Sequence, residues 1–121
     1  MIRKHTIAIG HALDGISWAI KTQPNYRVHF LASFLTILGG IFFSFSTMEW
    51  LVAIVMMTGG FAIETLNTAV EQLGDAIDKN YNPTIKIAKD LSAGAMLIYS
   101  IGAVIVACIL FLPKIINVIT S

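Results

Sequence analysis

Leu91–Pro113, LSAGAMLIYSIGAVIVACILFLP, runs for 23 residues without a charge. At 1.5 Å of rise per residue, roughly 20 apolar residues cross a hydrocarbon core about 30 Å thick, so the stretch is long enough to span a bilayer as one helix. Upstream, Phe30–Met48 holds a second uncharged run of 19 residues. Between them, Trp50–Ile63 supplies only 14 before Glu64, too few to cross alone. The helical pattern nevertheless continues through Leu66, Ala69, Val70 and Leu73, so this middle span carries an ionisable group at membrane depth. The predicted spans cover 28–47, 49–78 and 83–113.

Composition agrees. The chain has 121 residues, 56% hydrophobic and 12% charged, with a mean hydropathy of +0.78. A soluble domain this small has too much surface for its volume to hide that much apolar area. The length fits a single domain, 1–121. A net charge of +1 argues against nucleic acid, which calls for a clustered basic surface. Cys108 is the only cysteine, so the sequence holds no intrachain disulfide. The first 27 residues carry Arg3, Lys4, Asp14, Lys21 and Arg27 and have no continuous apolar core, so no secretory signal is expected.

Of eight Lys and Arg residues, seven (Arg3, Lys4, Lys21, Arg27, Lys79, Lys86 and Lys89) fall on one side of the three spans; Lys114 alone falls on the other. The positive-inside rule makes the rich side cytoplasmic. A multi-pass protein of the cell membrane with its N-terminus inside is therefore expected. Within 1–23, Ile9, Leu13, Ile16 and Ile20 form a helical stripe with His11, Asp14 and Lys21 off it, as in an amphipathic helix at the cytoplasmic interface with Trp18 at headgroup level. Pro24-Asn25 then breaks the pattern. Ser46 and Glu49 fit a capping box, Trp50 suits an interfacial anchor, and Asn82-Pro83 fits an N-cap followed by N1. Gly39-Gly40, Gly59-Gly60, Ala93, Gly94, Ala95 and Ala103 suit close helix packing. His5, His11 and His29 share no metal-ligand spacing and read as interfacial polar residues.

The chemistry sits on the middle helix. Glu64, Asn67, Glu71 and Asp75 recur at i, i+3, i+7 and i+11 and share one face. Glu64 lies about 22 Å along the helix from Glu49, and Glu71 about 33 Å, so Glu64 is just inside the cytoplasmic interface. A carboxylate near hydrocarbon costs a few kcal/mol unless protonated or paired, which makes Glu64 a functional candidate. Asp75 and Asp78 also fit solvated residues at a helix end. Lys86, Lys89 and Asp90 open the third span, either as an i,i+4 pair with snorkelling lysines or as partners of the acidic face. Carboxylates bind Mg²⁺ and lysines meet phosphate, so the joint reading is phosphoryl transfer at the cytoplasmic surface. Neither a G-x-x-x-x-G-K-S/T loop nor a protein-kinase glycine loop is present. A proton-coupled transporter would also use a membrane glutamate, and an assembly subunit would use the small residues, but neither employs the whole constellation.

Glu64-Thr65-Leu66-Asn67-Thr68-Ala69-Val70-Glu71, followed by Asp75, Ala88-Lys89-Asp90 and Gly94-Ala95, resembles the small prokaryotic membrane lipid kinases, which include diacylglycerol kinase and undecaprenol kinase. The resemblance covers nearly the whole chain. It implies an all-α integral membrane fold: an interfacial amphipathic helix plus three transmembrane helices, assembled as a homotrimer with shared active sites. It implies ATP and Mg²⁺ as cofactors and a membrane lipid alcohol as acceptor. Glu64 would be the general base, Asn67 would support it and the substrate, Glu71 would hold Mg²⁺, and Lys89 and Asp90 would engage the nucleotide. Gln23 stands where many relatives carry a second metal-binding glutamate; its amide oxygen can ligate, without charge. Asn80-Tyr81-Asn82 replaces the more usual acid-Tyr-His, so no adenine contact is carried onto Asn80 or Asn82. Tyr26-Arg27-Val28-His29, Met48-Glu49-Trp50-Leu51, Ile87-Ala88-Lys89-Asp90 and Phe111-Leu112-Pro113-Lys114 look more like the undecaprenol kinase branch than the diacylglycerol kinase branch.

Overall fold

A computed structural model describes residues 2–121, with side chains from His5 onward. Met1 and the side chains of Arg3 and Lys4, two of the charges counted above, lie outside the described residues. Among the described residues the regular structure is entirely helical: α1 (Ile2–Thr22), α2 (Pro24–Phe42), α3 (Thr47–Ile77) and α4 (Pro83–Thr120). Two of these, α3 and α4, are long and apolar enough to cross a membrane. The 19-residue α2 opens with Arg27 and His29 in its first turns and falls outside that group.

Local chemistry sets the helix ends. Pro24 occupies the first turn of α2, where its missing N–H costs nothing. The turn after α2 is a Schellman motif: Phe45 N donates to Gly40 O at 2.8 Å and Ser44 N to Ile41 O at 3.2 Å. Ser44 takes the left-handed position usually given to glycine, at φ 52°. The expected capping box opens α3, with Glu49 N donating to Ser46 Oγ at 3.3 Å and Ser46 N to Glu49 Oε2 at 2.7 Å. At α4, Asn82 Oδ1 accepts from Thr84 N at 3.0 Å and Ile85 N at 3.3 Å. This helix outlasts the uncharged run and passes through Pro113 to Thr120. Ile115, Ile116, Val118 and Ile119 keep that last segment apolar.

The hairpin of α3 and α4 is the main packing unit, α2 lies against α3, and α1 touches α2 and α3. Tyr99 donates to Met56 O across the hairpin. At the end near Ser46, Lys114 Nζ pairs with Glu49 at 2.9 Å and sits 5.4 Å from the Phe45 ring. Gly40 is needed there, since a Cβ would lie 2.7 Å from Trp50 Cη2. Gly94 does not serve packing within the chain: no atom lies within 4 Å of where its Cβ would be, because it faces outward. None of the residues of α4 is buried, and Ile98 is 74% exposed. Apolar faces of this extent need lipid or another chain to cover them.

Candidate active site

Side-chain contacts fix the orientation of α3. Phe61 faces Tyr26, His29 and Phe30 of α2, with ring centroids 5.7, 5.5 and 4.8 Å away. Tyr26 OH hydrogen-bonds Thr65 Oγ1. Asn67 and Asp75 make hydrogen bonds to α4. At about 100° per residue, Glu64 therefore points into the wedge between α2 and α4. It is 2% exposed, and its Oε2 finds no hydrogen-bond partner among the described residues.

One turn onward, Asn67 is 6% exposed. Ser92 Oγ donates to Asn67 Oδ1 at 2.7 Å and shares its proton with Lys89 O at 3.0 Å. The anchored amide then donates from Nδ2 to Glu71 Oε1 at 3.4 Å. Ser92–Asn67–Glu71 thus forms a continuous row whose polarity is set by the carboxylate, because it can only accept, so the amide turns its nitrogen to Glu71 and its oxygen to the serine hydroxyl, which can donate. Sequence reasoning missed Ser92. Its signal was its place three residues after Lys89 on the same face of α4.

Lys89 Nζ crosses to Asp75 Oδ1 at 2.5 Å. The lysine passes close over Gly74, where a Cβ would lie 2.9 Å from Lys89 Cε and from Ile85 Cγ2. Asp90 pairs with Lys86 on its own helix, the i,i+4 contact open from the sequence. That pair is 57% and 62% exposed and adds little stability. Asp75, Asp78, Tyr81, Lys86, Lys89 and Asp90 line a polar pocket where α3 meets α4. Three acids and three lysines (Lys79 is the third) meet there, so the pocket offers cations to phosphate without a strong net field.

Gln23 makes a local bond: its Nε2 donates to the neighbouring Thr22 Oγ1 at 3.2 Å at the α1–α2 corner. Among the described residues no group of three His, Cys, Asp or Glu side chains could hold a metal ion. Mg²⁺ commonly takes one or two protein carboxylates and completes its shell with water and substrate phosphates. Glu71, half-buried with one long bond from Asn67, fits as one of those carboxylates and not as a complete site. On the other side of Glu64, an apolar cavity of 320 Å³ begins at Gly60 and runs between α2, α3 and α4, past His29, Met56, Tyr99 and Ala107.

The site is thus a buried carboxylate between an apolar cavity and a polar pocket. The sequence profile described as prokaryotic diacylglycerol kinase matches residues 10–111. The undecaprenol kinase of Bacillus subtilis is 34% identical over 104 residues, 86% of this chain and 85% of that protein. The diacylglycerol kinase of a Synechocystis species is 33% identical over 114 residues, 92% of this chain and 64% of that protein.

Proposed function

The chain belongs to the prokaryotic diacylglycerol kinase family, and from that premise we propose that it moves the γ-phosphoryl group of ATP to undecaprenol, giving undecaprenyl phosphate. The carrying observation is Glu64, buried to 2% exposure with one carboxylate oxygen unpartnered, between an apolar cavity and a polar pocket. A lipid alcohol has the same two-part chemistry. Its chain lies among apolar side chains, and its hydroxyl reaches Glu64, the general base that takes its proton.

Asn67, fixed by Ser92, supports the reacting groups, Lys89 turns from its present ion pair toward the nucleotide phosphates, and Asp90 engages the nucleotide. Glu71 holds Mg²⁺, and Gln23 adds a neutral oxygen to the cofactor-binding set. Bound there, the metal neutralises charge on the phosphates, which is most of what phosphoryl transfer asks of a protein beyond positioning. The uncovered apolar face of α4 supports a homotrimer whose neighbours complete each site. In the bilayer α2, α3 and α4 all cross and α1 lies at the cytoplasmic surface, with the N-terminus inside.

Diacylglycerol is the second acceptor to consider, since the two named relatives are 34% and 33% identical and differ in substrate. The test is transfer of labelled γ-phosphate from MgATP to undecaprenol and to diacylglycerol, run in parallel on reconstituted protein. Faster labelling of undecaprenol is expected. Faster labelling of diacylglycerol would reverse the substrate assignment, and labelling of neither lipid would remove the reading.

A further inference from the structure

Two buried polar atoms of α3 have no hydrogen-bond partner among the described residues: Glu64 Oε2 and Thr68 Oγ1. Their residues are 2% and 5% exposed. A buried polar atom left unpaired forfeits its hydration, so native proteins rarely keep one without a use. The two residues share one helix face, because side chains four apart are neighbours there, with Cβ atoms about 5–6 Å from each other.

Other helical hydroxyls in this chain show the local alternative that Thr68 leaves unused. Thr22, Thr58, Thr65, Ser100 and Thr120 each donate to the carbonyl four residues back, at 2.9, 2.8, 2.6, 2.9 and 2.9 Å. For Thr68 that carbonyl belongs to Glu64, and the hydroxyl does not bond to it. A β-branched side chain has few rotamers to choose from, and in a helix threonine splits between two, of which Thr68 adopts one that leaves its hydroxyl unpaired. Glu64 lies one turn, about 6 Å, and Thr68 two turns along α3 from Gly60, which lines the apolar cavity.

We propose that Thr68 and Glu64 together form the subsite for the acceptor's hydroxyl, an inference that rests on the lipid kinase reading above. Thr68 Oγ donates to the alcohol oxygen, and Glu64 Oε2 accepts the alcohol's proton. One hydroxyl thereby satisfies both orphan atoms, since an alcohol offers one donor and two lone pairs. In the transfer the O–H bond of the alcohol breaks and its proton passes to Glu64. The alcohol oxygen forms a bond to the γ-phosphorus, and the bond from that phosphorus to the β,γ-bridging oxygen breaks, releasing ADP. Thr68 keeps its proton throughout. Its task is to fix one lone pair of the nucleophile so that another faces phosphorus.

The experiment compares wild type with Thr68→Val, which keeps the shape and deletes the hydroxyl, and with Thr68→Ser, which keeps the hydroxyl. Rates are measured against the lipid alcohol and against ATP, with thermal midpoints recorded alongside. For Thr68→Val, kcat/KM for the lipid is expected to fall about tenfold, the size of one lost hydrogen bond. The KM for ATP and the thermal midpoint are expected to hold, and Thr68→Ser to retain wild-type rates. If Thr68→Val does not fold, Thr68→Ala carries the same expected split. Unchanged lipid kinetics in the hydroxyl-less variant, an equal rise in KM for ATP, or no rescue by serine would each overturn the subsite while leaving the kinase reading in place. A wild-type protein that phosphorylates no lipid alcohol would overturn both.

Discussion

Replacing Ser92 by alanine removes the hydroxyl that holds Asn67 Oδ1 at 2.7 Å. Asn67 is 6% exposed, so water cannot readily take the serine's place. Leaving a buried acceptor unpaired costs about 1–3 kcal/mol. The row has little reserve, because the next bond, Asn67 Nδ2 to Glu71, is already 3.4 Å long. Without the serine, Asn67 Oδ1 loses its anchor, and the donor that the amide offers to the carboxylate of Glu71 is held less firmly. If the cost falls on the transition state, kcat/KM drops by roughly 5- to 150-fold. The reasoning is tested by a double-mutant cycle, with Ser92→Ala and Asn67→Ala made singly and together, assayed for lipid phosphorylation and thermal unfolding. Ser92 acts through Asn67, so its removal is expected to cost little once Asn67 is already alanine. A Ser92→Ala penalty of the same size in both backgrounds would refute the row, as would wild-type activity and stability in the single variant.

Three further outcomes are expected. If Glu64 is the base, as proposed, Glu64→Gln keeps its shape and removes its capacity to take a proton, so turnover falls by about 10²–10⁴-fold while the circular dichroism spectrum stays unchanged; retained turnover would exclude Glu64 as the base. Glu71→Gln keeps an oxygen and removes the charge, which shifts the Mg²⁺ titration of activity to higher concentration, and an identical titration curve would rule out metal binding at Glu71. Ser44→Gly relieves the left-handed strain at φ 52°, worth about 1–2 kcal/mol, against about 0.5–1 kcal/mol of added chain entropy in the unfolded state. A slightly higher thermal midpoint is therefore expected, and a lower one would show that Ser44 contributes through contacts of its own.

The features legible in the sequence are those written within one turn. The Ser46–Glu49 capping box, the Asn82 cap and the Lys86–Asp90 pair each join residues two to four apart, where the backbone leaves few geometries. The shared face of Glu64, Asn67, Glu71 and Asp75 follows from helical periodicity alone. The particular pairings between helices were not legible, although partnership of Lys86, Lys89 and Asp90 with the acidic face was one of the two readings left open. Ser92–Asn67 and Lys89–Asp75 depend on how far α4 slides along α3, and that register is decided by many contacts, such as Tyr99 on Met56 and Lys89 over Gly74. Nor does a charge count give the end of α4, because a lone proline removes one hydrogen bond and the apolar residues beyond Pro113 carry the helix on. Thr68 escaped notice for a related reason: a threonine in an apolar helix is ordinary until its hydroxyl is seen to be unpaired.

The ion pairs at the two ends of the hairpin make it a ruler. Glu49 to Asp75 is about 39 Å along α3, and Lys89 to Lys114 about 38 Å along α4, near the 40–45 Å of a bilayer with its headgroups. Both pairs join the same two helices, so neither can shift depth without the other. In a thinner membrane the hairpin must therefore lean as one body or draw lipid up around it. Leaning rotates Glu64 and the neighbouring cavity with it, so on the proposed mechanism the height at which an acceptor hydroxyl meets Glu64 follows the thickness of the surrounding lipid.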